Sequence, residues 1–255
     1  MRDITTVIFD WAGTTVDYGC FAPVQAFVEV FREFGMEPTM EETRKPMGML
    51  KVDHIRTMLS MDRIGKQFQE KHGRSFTEDD VKAMYGIFEE ELFAILDQFT
   101  DVKPEVLDTV KVLREKGIQI GSTTGYTDKM MEIVTNGARE KGYEPDCVVS
   151  PDDVCGKGRP YPYMIYENMK RLNVMSVHQV MKVGDTISDI KEGKNAGVYT
   201  VGVIEGSSEM GLSMEEFQKL SEAKKLEKKE MVKKKFLDAG ADAVVDTISG
   251  ILKLL

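Results

Sequence analysis

Short β-branched runs in this chain lead straight into side chains able to do chemistry. Ile4 to Phe9 is followed by Asp10-Trp11-Ala12-Gly13-Thr14-Thr15, and Ile118 to Ser122 by Thr123-Thr124-Gly125-Tyr126. Val180 to Val183 runs into Gly184-Asp185-Thr186-Ile187-Ser188-Asp189, with Lys157-Gly158-Arg159-Pro160 lying before it. Taken singly, an aspartate after a strand reads as a helix N-cap or a turn former. Recurrence at successive strand ends points elsewhere, because ligands of open parallel sheets bind beyond the carboxyl ends of the strands. Carboxylates gathered there repel one another, and a hard divalent cation such as Mg²⁺, which takes oxygen ligands, removes the repulsion. The accompanying cation and hydroxyl suit a phosphoryl group.

A second set lies in Met47-Gly48-Met49-Leu50-Lys51-Val52-Asp53-His54-Ile55-Arg56. Read as a helix, this stretch places Lys51 and His54 at i and i+3 with Met47 one turn before the lysine, so all three share a face. An apolar, methionine-lined surround disfavours the ammonium form of Lys51. The free amine is then available to form a Schiff base with a carbonyl.

The elements that must position these groups follow from the hydrophobic pattern. Strand-like runs recur at Ile4 to Phe9, Ile118 to Ser122, Cys147 to Ser150, Val180 to Val183, Val198 to Val203 and Ala243 to Val245. Helical patterns lie between most of them: Pro104 to Lys116, Asp128 to Lys141, Tyr161 to Leu172 and Ser188 to Ala196. Gly117, Gly142 and Gly197 follow three of these, as helix C-termini prefer. The alternation predicts an α/β core around a mostly parallel sheet covered on both faces. Between Phe9 and Ile118 no convincing strand occurs. Helical patterns there run from Pro23 to Phe34, from Glu41 through Leu59 and from Thr77 to Leu96, with Thr77 as N-cap and Glu78-Asp79-Asp80 as an acidic first turn. Residues 19–100 are therefore expected to form a helical cap domain inserted into a core of residues 1–18 and 101–255. Glu222 to Phe236 is rich in Lys and Glu at spacings that allow i,i+4 pairing and reads as a solvated surface helix, with Leu226, Met231, Phe236 and Leu237 as a broken apolar side.

Composition removes several classes of function. The 255 residues carry 34 Lys+Arg against 43 Asp+Glu, a formal charge of −9 that weighs against a nucleic-acid partner, and 42% are hydrophobic, enough for a core. The longest apolar runs are strand-sized, far short of the roughly 18–20 residues of a membrane helix. Asp3 and Asp10 interrupt the N-terminal stretch before it could serve as the apolar region of a secretory signal, so a cytoplasmic location is expected. Cys20, Cys147 and Cys155 form no CxxC pair or metal-ligand spacing, which suits a reducing compartment.

Taken together, the strand ends resemble the haloacid dehalogenase superfamily of aspartate-dependent phosphoryl-transfer enzymes, over nearly the whole chain. The resemblance implies a Rossmann-like core with an inserted cap, Asp10 as the nucleophile that accepts a phosphoryl group, and Thr124 holding a phosphate oxygen. By the same resemblance Arg159 offsets charge on the nucleophile and the transferring group. Mg²⁺ would be held by the Asp10 carboxylate, the Ala12 backbone carbonyl and Asp185, with Asp189 supporting that shell. One position departs from the pattern. Phosphatases of the superfamily place a second aspartate two residues after the nucleophile to protonate a departing alcohol oxygen, and here that position is Ala12. General-acid help of this kind is worth about 10²–10⁴-fold, so the leaving group is either poorly served or is not an oxygen.

A phosphonate with an aldehyde one carbon from phosphorus fits both Ala12 and Lys51, because an imine on the lysine is a sink for the electrons of the breaking C–P bond. VIFDWAGTTVDYG, MGMLKVDHIR, IGSTTGYT, GRPYPYM and GDTISD are similar to stretches of the phosphonoacetaldehyde hydrolase, or phosphonatase, family. That likeness implies hydrolysis of phosphonoacetaldehyde to acetaldehyde and phosphate, through a Schiff base on Lys51 and an aspartyl phosphate on Asp10. It implies proton-transfer and positioning roles for His54, Met47 and Tyr126, places Cys20 and Gly48 near the site, and suggests a homodimer. Closure of the cap should move hinges around Tyr18-Gly19 and Phe99 to Lys103. The alternatives are a phosphatase or phosphomutase of the same superfamily, against which Ala12 and Lys51 count, and a non-catalytic binding protein, against which Asp10, Arg159, Asp185 and Asp189 count.

Overall fold

The computed structural model describes residues 3–255. Its elements in chain order are β1 (Thr6–Phe9), α1 (Ala22–Glu33), α2 (Met40–Arg44), α3 (Lys51–Leu59), α4 (Asp62–His72), α5 (Glu78–Ile95), α6 (Val106–Glu115), β2 (Gln119–Thr123), α7 (Asp128–Glu140) and β3 (Cys147–Val149). There follow α8 (Tyr163–Arg171), β4 (Val180–Gly184), α9 (Ile187–Ala196), β5 (Tyr199–Val203), α10 (Met214–Lys219), α11 (Glu222–Asp238) and β6 (Ala243–Val245). The strands form one parallel sheet in the order β3-β2-β1-β4-β5-β6. Each expected strand is present, with ends that differ by two residues at most and Ala243–Val245 matching at both. Val7, Ile8 and Phe9 are wholly buried, as a central strand covered on both faces must be. β1 lies between β2 and β4, so the chain passes to either side of it and the switch in strand order falls where Asp10 leaves the sheet.

Among the described residues every element between β1 and β2 is helical; α1 to α5 pack mainly on one another, α1 and α3 on α5 and α3 on α4, whereas α6 packs on β2 and on Ile248–Lys253. The Thr77 backbone N–H donates to Asp80 at 2.7 Å as α5 begins, in keeping with its expected cap. The continuous pattern expected from Glu41 through Leu59 is instead two helices separated by Lys45 to Leu50. Pro46 has no N–H to continue the helical ladder, and Gly48 takes φ +84, a left-handed value that ends helical hydrogen bonding. Met47 is therefore in a turn, and Lys51 is the first residue of α3 rather than the middle of a longer helix. The sequence pattern also missed α4, which buries only Ile64 and Phe68 and carries Gly65 in its interior. In α11 the expected apolar side is narrower: Phe236 is buried with Val232, while Leu226, Met231 and Leu237 are exposed.

Candidate active site

Parallel pairing sets the geometry of the crevice. Phe9 is in register with Ser122 on one side and Val183 on the other, so the residues following each strand emerge together. The Asp10 backbone N–H donates to Val183 at 2.9 Å, extending the ladder one residue beyond the strand. Carboxylate oxygens of Asp10, Asp185 and Asp189 lie within 4.8 Å of one another, all buried. The chain turns sharply after Asp10: Thr15 N–H donates to the Trp11 carbonyl at 2.8 Å, and Gly13 takes φ +90. A Cβ at Gly13 would collide with the Asp185 carboxylate, so only glycine lets the two loops approach this closely. Thr14 donates its hydroxyl to Asp185 Oδ1 at 2.9 Å, and the Ser208 N–H donates to Asp185 Oδ2 at 2.7 Å.

Burial, together with the nearby Asp10 and Asp189 carboxylates, pushes the Asp185 carboxyl well above the usual carboxylate range. A divalent cation between Asp10 and Asp185 would oppose that shift, and an all-oxygen donor set fits Mg²⁺. Asp189 is already committed. Its Oδ1 lies 3.2 Å from Arg159 and 2.9 Å from Lys182, and these cations hold its carboxyl below its usual value against the opposing effect of burial. Arg159 Nη2 donates to Asp10 Oδ1 at 2.6 Å. Lys103, in the segment between α5 and α6, reaches in and donates to the carbonyls of Gly13 and of Glu205, the latter at 2.8 Å. Burial pulls its pKa down to about 8.

The opposite wall is Lys51. Its ammonium lies 4.9 Å from the centre of the Tyr126 ring and 5.9 Å from that of Phe27. Burial lowers its pKa, with Arg159 adding to the effect and Cys20 and Asp10 opposing it. Asp10, Ala12, Cys20, Met47, Gly48, Lys51, Thr124, Gly125, Tyr126, Arg159 and Thr186 enclose a single cavity of about 20 Å³. That is room for little more than one water molecule, so a ligand enters only if the walls part. The seam between them is tight. Ser188 donates its hydroxyl to the Met47 carbonyl at 3.0 Å, and a Cβ on Gly48 would stand 2.5 Å from Thr186 Oγ1.

Of the residues singled out from sequence, His54 and the two aspartates of the GDTISD stretch do not line this cavity. His54 lies behind Lys51, wholly buried and stacked 3.8 Å from Phe27. Its Nε2 is 2.9 Å from the Thr43 carbonyl. A carbonyl only accepts, so Nε2 carries the hydrogen, and Nδ1 is left bare, without a partner among the described residues. Burial and the nearby Lys51 hold this imidazole well below its usual pKa. Cys20 forms part of the wall at φ +54, and burial, then Asp17 and Asp185, pushes its thiol well above the usual range. Thr124 Oγ1 accepts from the Tyr126 N–H at 3.0 Å.

Sequence reasoning missed Lys182, Glu192 and Thr123, all buried behind Arg159. A signal existed for two of them. Lys182 is a charge within an otherwise apolar strand, and Glu192 follows Asp189 at i+3 on the same helix face.

Comparison with known proteins accords with this geometry. A family model described as haloacid dehalogenase-like hydrolase matches residues 4–197. A phosphonoacetaldehyde hydrolase of Lysinibacillus sphaericus is 54% identical over 248 residues, which cover 97% of this chain and 92% of that one. Its counterpart in Bacillus cytotoxicus is 50% identical over 252 residues, 99% of this chain and 95% of that one. A crystal structure of a phosphonoacetaldehyde hydrolase-like protein from Oleispira antarctica superposes with a TM-score of 0.96 at 36% identity, covering 99% of this chain and 91% of that one.

Proposed function

We propose, for a chain that belongs to the haloacid dehalogenase-like hydrolases and within them to the phosphonoacetaldehyde hydrolase family, that it cleaves the C–P bond of phosphonoacetaldehyde to give acetaldehyde and phosphate. The observation that carries this reading is the pairing of a buried amine with a missing acid. Lys51, its pKa lowered by burial, shares a cavity with Asp10, and Ala12 stands where a phosphatase needs its proton donor.

In the proposed reaction the Lys51 amine condenses with the substrate aldehyde and releases water, forming a protonated imine. Asp10 attacks phosphorus in line, and the electrons of the breaking C–P bond flow into the iminium to give an enamine on Lys51 and a phosphoryl group on Asp10. Carbon departs into an electron sink, so no proton is needed at position 12. Arg159, 2.6 Å from Asp10, offsets charge on the nucleophile and on the phosphoryl oxygens, one of which Thr124 holds. Water then hydrolyses the acyl phosphate. Protonation of the enamine carbon and hydrolysis of the imine release acetaldehyde, so one water is consumed overall. His54, one turn from Lys51 with Nδ1 bare, takes up and returns a proton during these steps. Tyr126 and Met47 hold the aldehyde end.

Mg²⁺ fits the same reading. Asp10, Asp185 and the Ala12 carbonyl would hold it, with Asp189 behind them, and when bound it would offset negative charge on the nucleophile and the phosphonate. Residues 19–100 would act as a cap that opens about Tyr18-Gly19 and Phe99 to Lys103 to admit substrate and closes to exclude water. A cytoplasmic homodimer completes the proposal. No helix among the described residues is long and apolar enough to cross a membrane.

Borohydride reduction in the presence of phosphonoacetaldehyde tests the central step. Phosphate release should stop, and the mass of a reduced imine should appear on the peptide containing Gly48 to His54. Lys51→Arg should abolish both, because a guanidinium keeps its charge but forms no imine. An adduct on another lysine, or none during turnover, would overturn the mechanism.

A further inference from the structure

We propose that Thr123, Lys182 and Glu192 are positioning residues that aim Arg159 for phosphoryl transfer; this rests on the roles assigned above to Asp10 and Arg159. None of the three lines the cavity, and each comes from a different element: the end of β2, the middle of β4 and the second turn of α9. Their side chains converge on the guanidinium. Thr123 Oγ1 accepts from Arg159 Nη2 at 2.8 Å and from Lys182 Nζ at 2.6 Å, and it donates to Glu192 Oε2 at 3.1 Å. A hydroxyl has one hydrogen and two lone pairs, so the capacity of Thr123 is fully used. Glu192 Oε2 also accepts from Arg159 Nε at 3.0 Å.

The guanidinium is planar and rigid, so holding Nε and Nη2 fixes the direction of every other donor. Nη2 is thereby set against Asp10 Oδ1 at 2.6 Å. Nη1 is the nitrogen without a hydrogen-bond partner among the described residues, and Arg159 is part of the cavity wall, so Nη1 is the donor left for a phosphonate oxygen. Lys182 keeps the arginine from being shared too widely. Arg159 lies within ion-pair distance of Asp10, Asp189 and Glu192 at once. Lys182, 2.9 Å from Asp189 and 3.2 Å from Glu192, supplies a second positive charge to the two carboxylates that do not react.

Glu192 Oε1 is buried without a hydrogen-bond partner among the described residues, so this carboxylate acts through Oε2, the oxygen that grips Arg159 and faces Lys182.

Thr123→Val removes the hydroxyl at nearly constant volume, and Thr123→Ser keeps it. With phosphonoacetaldehyde as substrate, Thr123→Val should lower kcat by about 10–100-fold with a much smaller change in KM, as expected for a misaimed catalytic group, and Thr123→Ser should restore most of the rate. Borohydride should still trap the imine on Lys51 in both variants, because imine formation does not use Arg159. Wild-type kcat in Thr123→Val, an equal loss in both variants, or loss of the Lys51 adduct along with the rate would each overturn the proposal. If Thr123→Val does not fold, Glu192→Gln takes its place, with the same expected loss of kcat, and wild-type turnover there would be equally fatal. Failure of the underlying reading looks different: the wild-type protein itself would release no phosphate from phosphonoacetaldehyde, and the positioning role would fall with it.

Discussion

Lys51 stands 4.9 Å from the centre of the Tyr126 ring, the one residue on the first turn of α3 and the other just after β2. An ammonium over an aromatic face is attracted to it, yet burial outweighs that attraction and favours the neutral amine. The folded-state pKa is thus depressed below the 10.5 of a free lysine. Rate should rise with pH as the amine loses its proton and level off below pH 10.5. Tyr126→Ala, which admits water, should carry that rise to higher pH. A pH profile of kcat/KM decides it, and an unmoved profile would show that the ring does not shape the environment of the lysine.

The same depressed pKa makes Lys51 a burden on folding at neutral pH. Between the lowered pKa and 10.5 the unfolded chain binds more protons than the folded one, so stability rises with pH across that window. Lys51→Met should therefore raise the melting temperature by a few degrees at pH 7, with the gain fading towards pH 10.5, while abolishing turnover. Calorimetry at several pH values would expose a lysine that instead stabilises the fold.

Gly48 lies against Thr186 and Ser188, which follow β4. Its φ of +84 is left-handed, and an added Cβ would meet Thr186 Oγ1 at 2.5 Å and Ser188 Cβ at 3.0 Å. Gly48→Ala should hold the seam apart, shift Lys51 away from Asp10 and lower kcat by about 100-fold. The overall fold should survive, which circular dichroism would show. Full activity in the variant would mean that the cavity does not close this tightly during turnover.

The sheet was legible because each strand is a short β-branched run with helical pattern on either side, and Asp10 and Asp185 were legible because they follow such runs. Met47 was misplaced for a physical reason. Its neighbours are apolar at helical spacing, but Pro46 and Gly48 break the backbone there, and side-chain periodicity does not register a left-handed φ. The site gains from the break, since a turn delivers Met47 and Gly48 to the cavity wall where a continuous helix would have carried them past it. Thr123 stayed hidden at the end of a regular strand, and although the lone charge of Lys182 and the i+3 spacing of Glu192 from Asp189 were visible, only tertiary packing shows what these side chains touch.

Metal removal offers a test without substrate. Metal-free, burial together with the Asp10 and Asp189 carboxylates raises the Asp185 pKa, so stability lost as pH climbs through that raised value should return when a cation binds. Mg²⁺ at a hundred times its Kd should stabilise the protein by about 2.7 kcal/mol, less at acid pH where Asp185 is protonated. Asp185→Asn should melt higher than the wild type without metal and gain little from Mg²⁺. Thermal melts with EDTA and with Mg²⁺ would reveal it, and an equal gain in the variant would place the ion elsewhere.

Ala12 gives the most discriminating substitution, because it lines the cavity beside Asp10 yet offers no side-chain chemistry. If carbon leaves into an imine on Lys51, no acid is wanted at this position. Ala12→Asp would then add another carboxylate to a site that already holds Asp10, Asp185 and Asp189 within 4.8 Å, and the repulsion should slow phosphonoacetaldehyde hydrolysis. A small alkyl phosphate behaves in the opposite way, because its departing oxygen needs a proton. The new carboxyl should raise that rate by a factor approaching the roughly 10²–10⁴-fold of general-acid catalysis. Phosphate release from both substrates, measured for wild type and variant side by side, separates the two leaving groups. Faster phosphonate cleavage in Ala12→Asp would mean that the departing carbon does need an acid, and the electron sink on Lys51 would lose its place in the mechanism.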